Sequence, residues 1–277
     1  MNSSDKIGVI GGGLGGLAAA CTLAARGHEV VLFEANDWLG GKAAVLREEG
    51  FRFDMGPTIL TLPSVLRRIF SEAGRSMEEE LNLVRLDPQW RCFFDNGSRL
   101  DLVEEVAAMV RNIAAFSGDR VSADGYERFQ AFSKDLHRIS EKYFFYKPIG
   151  GMGDMFDWRG MLDISSLRDV IRMRLGRTVS ETLRSFVPDP RVAQMLDHIT
   201  QYVGSAPDAS PAVLCGIAHM QTDEGIWYPM GGTRAVPEAL ERLALQLGVE
   251  IRTGTAIQRI LTERGAVTGV LTESGET

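Results

Sequence analysis

Lys6-Ile7-Gly8-Val9-Ile10-Gly11-Gly12-Gly13-Leu14-Gly15-Gly16 opens the chain, and the reading of this stretch decides the fold. Ile7 to Ile10 is a short apolar run suited to a buried parallel strand, and it leads into glycines spaced G-x-G-x-x-G at Gly11, Gly13 and Gly16. A helix is predicted next, because Leu17 to Arg26 is rich in small helix formers and Gly27 stands where a left-handed cap belongs. A second strand, Glu29 to Phe33, then ends at Glu34. In a βαβ unit of this kind Gly11 allows the tight turn and Gly13 lets the backbone approach a pyrophosphate. Gly16 lets helix and strand pack closely, so that the loop through Leu14 and Gly15 turns a helix N-terminus toward an anion. A carboxylate about 20 residues past such glycines accepts hydrogen bonds from an adenine ribose, and Glu34 holds that place. The bland alternative is a glycine-rich turn with no ligand. The register of strand, helix, strand and acid favours a dinucleotide site, with NAD and FAD both open.

The next residues, Ala35 to Lys42, favour FAD. A simple nicotinamide enzyme would usually continue into another helix, whereas Gly40-Gly41-Lys42 offers backbone donors and a cation to a second side of a diphosphate. Read alone, the same residues make an ordinary turn. Gly50 to Asp54 alternates like a strand and breaks at Met55-Gly56-Pro57-Thr58, where glycine and proline fix an irregular backbone able to pass close to a flat ring. Pro63 then opens a helix over 64–73 that Gly74 ends.

Gly11 to Gly16, Glu34, Gly40-Gly41-Lys42 and Asp54 to Thr58 together resemble the phytoene desaturase family, the carotenoid branch of the FAD-dependent amine oxidase superfamily. Gly225-Ile-Trp-Tyr-Pro-Met-Gly231-Gly232-Thr233 resembles the segment where that family returns from its substrate domain to its FAD domain. The resemblance covers both ends of the sequence strongly and the middle loosely. It implies that Ile257 lies against the adenine through its backbone. It also implies that relatives run on beyond Thr277, so that the chain reads as truncated at its C-terminus.

With 277 residues, 44% hydrophobic and 24% charged, the chain has room for two domains of ordinary globular composition. A net charge of −7 argues against a general nucleic-acid binder. Cys21, Cys92 and Cys215 are scattered without pairing, which reads as reduced thiols in a cytoplasmic compartment. His28, His137, His198 and His219 show no ligand spacing, so no metal is expected. No run reaches the roughly 18 apolar residues of a membrane-spanning helix, and the immediate first strand speaks against a cleavable leader.

The middle changes character. Arg91 to Leu102 reads as a hairpin turning at Asn96-Gly97, and helical patterns follow over 104–116, 125–145 and from the capping box Thr178-Val-Ser-Glu181 onward. Pro190 and Pro211 are expected at further helix starts. Val236 to Leu247 returns to helix, and strands are expected at 249–252, 256–260 and 265–272. The architecture expected is therefore an α/β, Rossmann-like FAD-binding domain over 1–82, interrupted by a mostly helical substrate or cap domain over 83–223 and resumed, incomplete, over 224–277.

Removing hydrogen from two adjacent carbons of a hydrocarbon needs a hydride acceptor, and no side chain provides one. The sequence shows no triad, no H-E-x-x-H and no spaced carboxylate pair, and the middle matches the family too loosely to carry over a catalytic residue. The resemblance implies a carotenoid desaturase acting on a long apolar isoprenoid. Carotene isomerisation, retinol saturation, amine oxidation and flavin binding without turnover remain alternatives. Met152 to Arg177 sets apolar anchors beside Arg159, Arg168, Arg172, Arg174 and Arg177. By itself this reads as a packed helix with a basic face, and the resemblance moves it toward attachment at the cytoplasmic face of a membrane.

Overall fold

A computed structural model describes residues 6–142 and 169–277. In chain order the first part holds β1 (Ile7–Ile10), α1 (Leu14–Ala25), β2 (Val30–Phe33), β3 (Val45–Glu48), β4 (Phe51–Asp54), α2 (Pro63–Glu72), α3 (Met77–Glu80) and β5 (Leu83–Arg85). Then come β6 (Trp90–Phe93), β7 (Arg99–Leu102), α4 (Val106–Ser117), α5 (Val121–Ser140), α6 (Val179–Phe186) and α7 (Pro190–Leu196). Two 3-10 segments, Asp197–Val203 and Ala212–Gly216, precede α8 (Ile217–Asp223). The last part holds β8 (Trp227–Pro229), α9 (Ala235–Gln246), β9 (Glu250–Arg252), β10 (Ile257–Glu263) and β11 (Ala266–Thr272).

These elements form two units, one made of Met1–Arg85 with Ile226–Thr277 and the other of Leu86–Gly225. The boundaries fall at Arg85 and Gly225 rather than at 82 and 223, because β5 pairs antiparallel with β8, Leu83 opposite Pro229 and Arg85 opposite Trp227. A three-residue strand carries no periodicity of its own, so neither β5 nor β8 was legible in the sequence.

In the first unit the parallel sheet runs β1-β2-β9. All four residues of β2 are buried, as a central parallel strand covered on both faces requires. Helix α1 offers Leu17, Ala20 and Cys21 to a core shared with Val30, Leu32, Phe70, Leu240 and Leu243. The small residues of α1 let it lie close to the sheet and to α9. Gly27 ends α1 in the left-handed region at φ +88. The expected strand at 50–54 is β4, but it forms a hairpin with β3, Val45 opposite Asp54, which the helix-forming composition of 43–49, Ala-Ala-Val-Leu-Arg-Glu-Glu, concealed.

The second unit is built around Met109, Ile113, Tyr126, Phe129, Leu136 and Leu183, all fully buried. The hairpin pairs Trp90 with Leu102 and Phe93 with Arg99 around Asn96-Gly97. Thr178 and Glu181 close the expected capping box at the start of α6, with amide-to-side-chain distances of 3.2 and 3.1 Å. Pro190 opens α7, and Pro211 precedes the 3-10 segment beginning at Ala212. The expected helix to 145 is described only as far as Lys142, and the stretch from Met152 through 168 lies outside the described residues.

His198 is locked inside this unit. Its Nδ1 lies 2.7 Å from the Met195 carbonyl, which can only accept, so Nδ1 carries the hydrogen and Nε2 receives the Gln221 amide at 2.8 Å. The same amide donates to the Tyr202 hydroxyl at 2.8 Å, and the Trp90 ring stands 4.9 Å from the imidazole. Burial pushes the His198 pKa down, against the opposing pull of the bonds to Met195 and Gln221. His219 is pushed down as well, burial being the first cause. A histidine neutral in the native state takes up a proton on unfolding below its unfolded value of about 6.5, so stability is full above that pH and falls as pH drops through the window below it. Urea unfolding followed by far-UV circular dichroism from pH 8 to 5 is expected to show this acid decline, and His198→Gln to make it shallower; an equal slope in the variant refutes the assignment.

Candidate nucleotide site

All the residues of this site belong to the first unit. The Phe33 carbonyl accepts from the Gly11 amide at 2.8 Å, which fixes the turn out of β1, and Gly11 holds φ +100. Gly16 is the close-packing point, because a Cβ there would stand 1.8 Å from the Gly11 carbonyl oxygen. Gly13 caps α1 without any side-chain bond, and the first turn of the helix contains no acidic residue. A Cβ on Gly15 would meet nothing within 4 Å, and one on Gly13 only Gly41 Cα at 3.9 Å. The uncapped helix start thus presents bare backbone N–H groups to open space, the arrangement that receives an anion.

The Gly40-Gly41 turn is brought to this loop. Gly40 bridges Gly13, and its amide donates to the Gly12 carbonyl at 2.7 Å. Lys42, which follows the turn, is exposed, as are Leu14 and Ala35. Ile257 begins β10 beside the end of β2, since the Thr255 amide donates to the Glu34 carbonyl at 2.8 Å and the Gly254 amide to the Asn36 carbonyl at 2.7 Å.

Glu34 does more than the sequence assigned to it. It is buried, and its carboxylate accepts from the Gly12 amide at 2.6 Å, the Asn36 amide at 2.9 Å and the Asn36 side chain at 2.7 Å. Burial acts to raise its pKa, but these bonds outweigh burial and hold the carboxyl below the usual range. Through these bonds Glu34 buckles the glycine loop to the end of β2. Asn36, two residues on, escaped the sequence reading although an amide beside a carboxylate is a legible local pair.

Gly56, Pro57 and Thr58 are tied to the residues after the Gly40-Gly41 turn. A Cβ on Gly56 would lie 2.0 Å from the Lys42 carbonyl oxygen, and the Met55 amide donates to Ala44 O at 2.9 Å. The return segment closes over them: the buried Thr233 hydroxyl donates to Pro57 O at 2.7 Å, and the Arg52 guanidinium donates to Gly231 O while pairing with Asp54 at 3.3 Å. Sequence reasoning missed Arg52, Thr233 and Arg234 as parts of the site. Thr233→Val removes one buried hydrogen bond at nearly constant volume, and urea unfolding is expected to show a loss of about 1 kcal/mol; no loss would mean that the bond to Pro57 contributes nothing.

A bare-backbone cradle with a helix start, a second glycine turn and a buried acid suits a dinucleotide diphosphate with its ribose. The model of the family described as flavin containing amine oxidoreductase matches residues 14–277. The chain belongs to this family. FAD is accordingly its cofactor, and the glycine cradle fits it. Among the described residues no group of three or more His, Cys, Asp or Glu could hold a metal ion.

Within the flavin amine oxidoreductase family the chain is similar to a 4,4'-diapolycopene oxygenase of Methylomonas sp, 35% identical over 281 residues that cover 100% of this chain and 54% of that one. It is also similar to the 4,4'-diaponeurosporene oxygenase of Staphylococcus haemolyticus, 35% identical over 273 residues, covering 99% and 53%. Among solved structures, an oxidoreductase from Methanosarcina mazei superposes with a TM-score of 0.60 at 21% identity, over 97% of this chain and 56% of that one. The chain therefore spans about half the length of the curated relatives it matches. The flavin family read from the motifs stands, and these relatives are named as carotenoid oxygenases, not desaturases.

Proposed function

We propose that this chain forms the FAD-holding part of an oxidoreductase that oxidises a long carotenoid hydrocarbon. The observation that carries the reading is the open backbone cradle at Gly13 to Gly16, faced by Gly40-Gly41 and buckled by Glu34. FAD, when bound, supplies the electron acceptor that side chains lack. Gly11, Gly13, Leu14, Gly15 and Gly16 hold the diphosphate through backbone, with Gly40, Gly41 and Lys42 on its second side. Glu34 and Ala35 take the ribose, and the backbone of Ile257 the adenine. Gly56, Pro57 and Thr58 give a side-chain-poor edge to the flavin ring.

The names of the two relatives favour oxygenation of the polyene. Desaturation, which the phytoene desaturase resemblance implies, is the second reading. Incubating the intact gene product with an acyclic carotenoid separates them by mass spectrometry, because oxygenation adds oxygen to the product and desaturation removes hydrogen pairs and lengthens the chromophore. Turnover of an amine, or isomerisation without a mass change, would overturn both.

The reading extends to a membrane surface as the source of so apolar a substrate. Ile171 and Leu175 stand 70% and 69% exposed, in a short stretch that also carries Arg172, Arg174 and Arg177. No helix among the described residues is long and apolar enough to cross a membrane. Sedimentation with anionic vesicles, lost in an Ile171→Ser, Leu175→Ser double variant, supports attachment at a membrane surface; sedimentation unchanged in that variant overturns it.

A further inference from the structure

The Gly40-Gly41 turn carries two consecutive residues in the left-handed region, at φ +109 and +56. Such a turn costs more backbone entropy than any other pair and persists only where its surroundings fix it. On one side the glycine loop fixes it, through the Gly40 amide on Gly12 O and the approach of Gly41 to Gly13, where an added Cβ would stand 3.1 Å from Gly13 Cα. On the other side stands Arg234, which donates to the Leu39 carbonyl; a Cβ on Gly40 would meet Arg234 Nη1 at 2.7 Å and Pro237 at 2.9 Å.

The Arg234 guanidinium also stands 5.9 Å from the centre of the Trp38 ring. Arg234 is the residue that caps the N-terminus of α9, the positive end of the helix dipole, where cations are disfavoured. The uncapped start of α1 adds a second positive end across the turn. The Arg234 side chain is only 16% exposed, and the carboxylate that pairs with it is the half-exposed Glu238 at 3.4 Å. A mostly buried guanidinium at the positive end of α9 is stabilised further when a strongly anionic group binds at the neighbouring turn.

We propose that Arg234 is the positioning residue for the dinucleotide diphosphate: its donated hydrogen bond sets the Gly40-Gly41 turn and its charge selects ligands with a diphosphate over those without one. The inference rests on the FAD reading of the same site and is independent of the substrate that the flavin oxidises. The probes are FAD, ADP and adenosine, titrated by calorimetry into the full chain and into two variants chosen to separate the roles. Arg234→Gln keeps a donor for Leu39 O and removes the charge, whereas Arg234→Lys keeps the charge.

Arg234→Gln is expected to weaken ADP and FAD by about tenfold to a hundredfold, the range of one charge-assisted hydrogen bond, and to leave adenosine unchanged. Arg234→Lys is expected to restore most of the ADP affinity, with a penalty for the glutamine variant that shrinks as salt is raised. Parallel losses of adenosine and ADP would reduce Arg234 to a structural clasp, and a lysine variant as weak as the glutamine one, or ADP affinity unchanged in both, would overturn the proposal. If the unmodified chain binds neither FAD nor ADP, the FAD reading falls first and this inference with it.

Discussion

Gly16→Ala is expected to abolish saturable FAD binding and to cost the first unit about 3 kcal/mol or more of stability, at the upper end of overpacking penalties. The new methyl would lie 1.8 Å from the Gly11 carbonyl oxygen and 3.0 Å from its carbon. Both obstacles are backbone, so no rotamer change relieves them, and α1 has to lift away from β1. Lifting α1 moves its N–H groups out of register with Gly40-Gly41 and opens the core at Leu17 and Ala20. Gly15→Ala is the control. Its methyl meets nothing within 4 Å, and alanine is the better helix former by about 1 kcal/mol, so its stability is expected to equal or exceed that of the unaltered chain. Urea midpoints and FAD fluorescence titrations of the two variants decide the matter, and equal stability would mean that helix and strand are not in contact at Gly16.

Glu34→Ala ranks second. The substitution strips the acceptor from three donors and leaves the Gly12 N–H buried and unpaired, at a cost of about 1–3 kcal/mol shared between loop stability and FAD affinity. The pH dependence distinguishes a working carboxylate from a passive one. Because the folded carboxyl titrates below its unfolded value, the native state binds fewer protons across that window. The stabilisation is therefore present above about pH 4.3 and is lost as pH falls through the lower folded value. FAD affinity is expected to be flat at neutral pH and to fall only in acid, and Glu34→Gln should lack that acid step. Affinity unchanged in Glu34→Ala would remove Glu34 from the site.

The two variants probe different layers of the same loop. Gly16 governs whether the helix start reaches the cradle at all, and Glu34 governs whether the cradle stays closed on the end of β2. Arg234, on the far side of the turn, adds charge to a geometry that the other two residues make possible.

What the sequence determined by itself is local. The G-x-G-x-x-G spacing, the apolar run ahead of it and Gly27 behind it specify strand, turn, helix and cap within some 30 residues, and β1, α1 and β2 lie where those signals put them. The capping box at Thr178, the turn at Asn96-Gly97 and the prolines at 63 and 190 mark their elements for the same reason, since each acts on its own backbone. Tertiary structure decided what the site residues touch. Arg234 meets Leu39 across 195 positions, Arg52 meets Gly231 across 179 and Thr233 meets Pro57 across 176. Such pairings leave no periodicity in the chain, because they join residues that lie on either side of the inserted unit in sequence. The short strands β5 and β8 belong to this second class, each being a strand only because the other lies beside it. So does the inward commitment of Glu34, whose carboxylate a linear reading leaves free for a ligand and which folding turns onto the amides of Gly12 and Asn36.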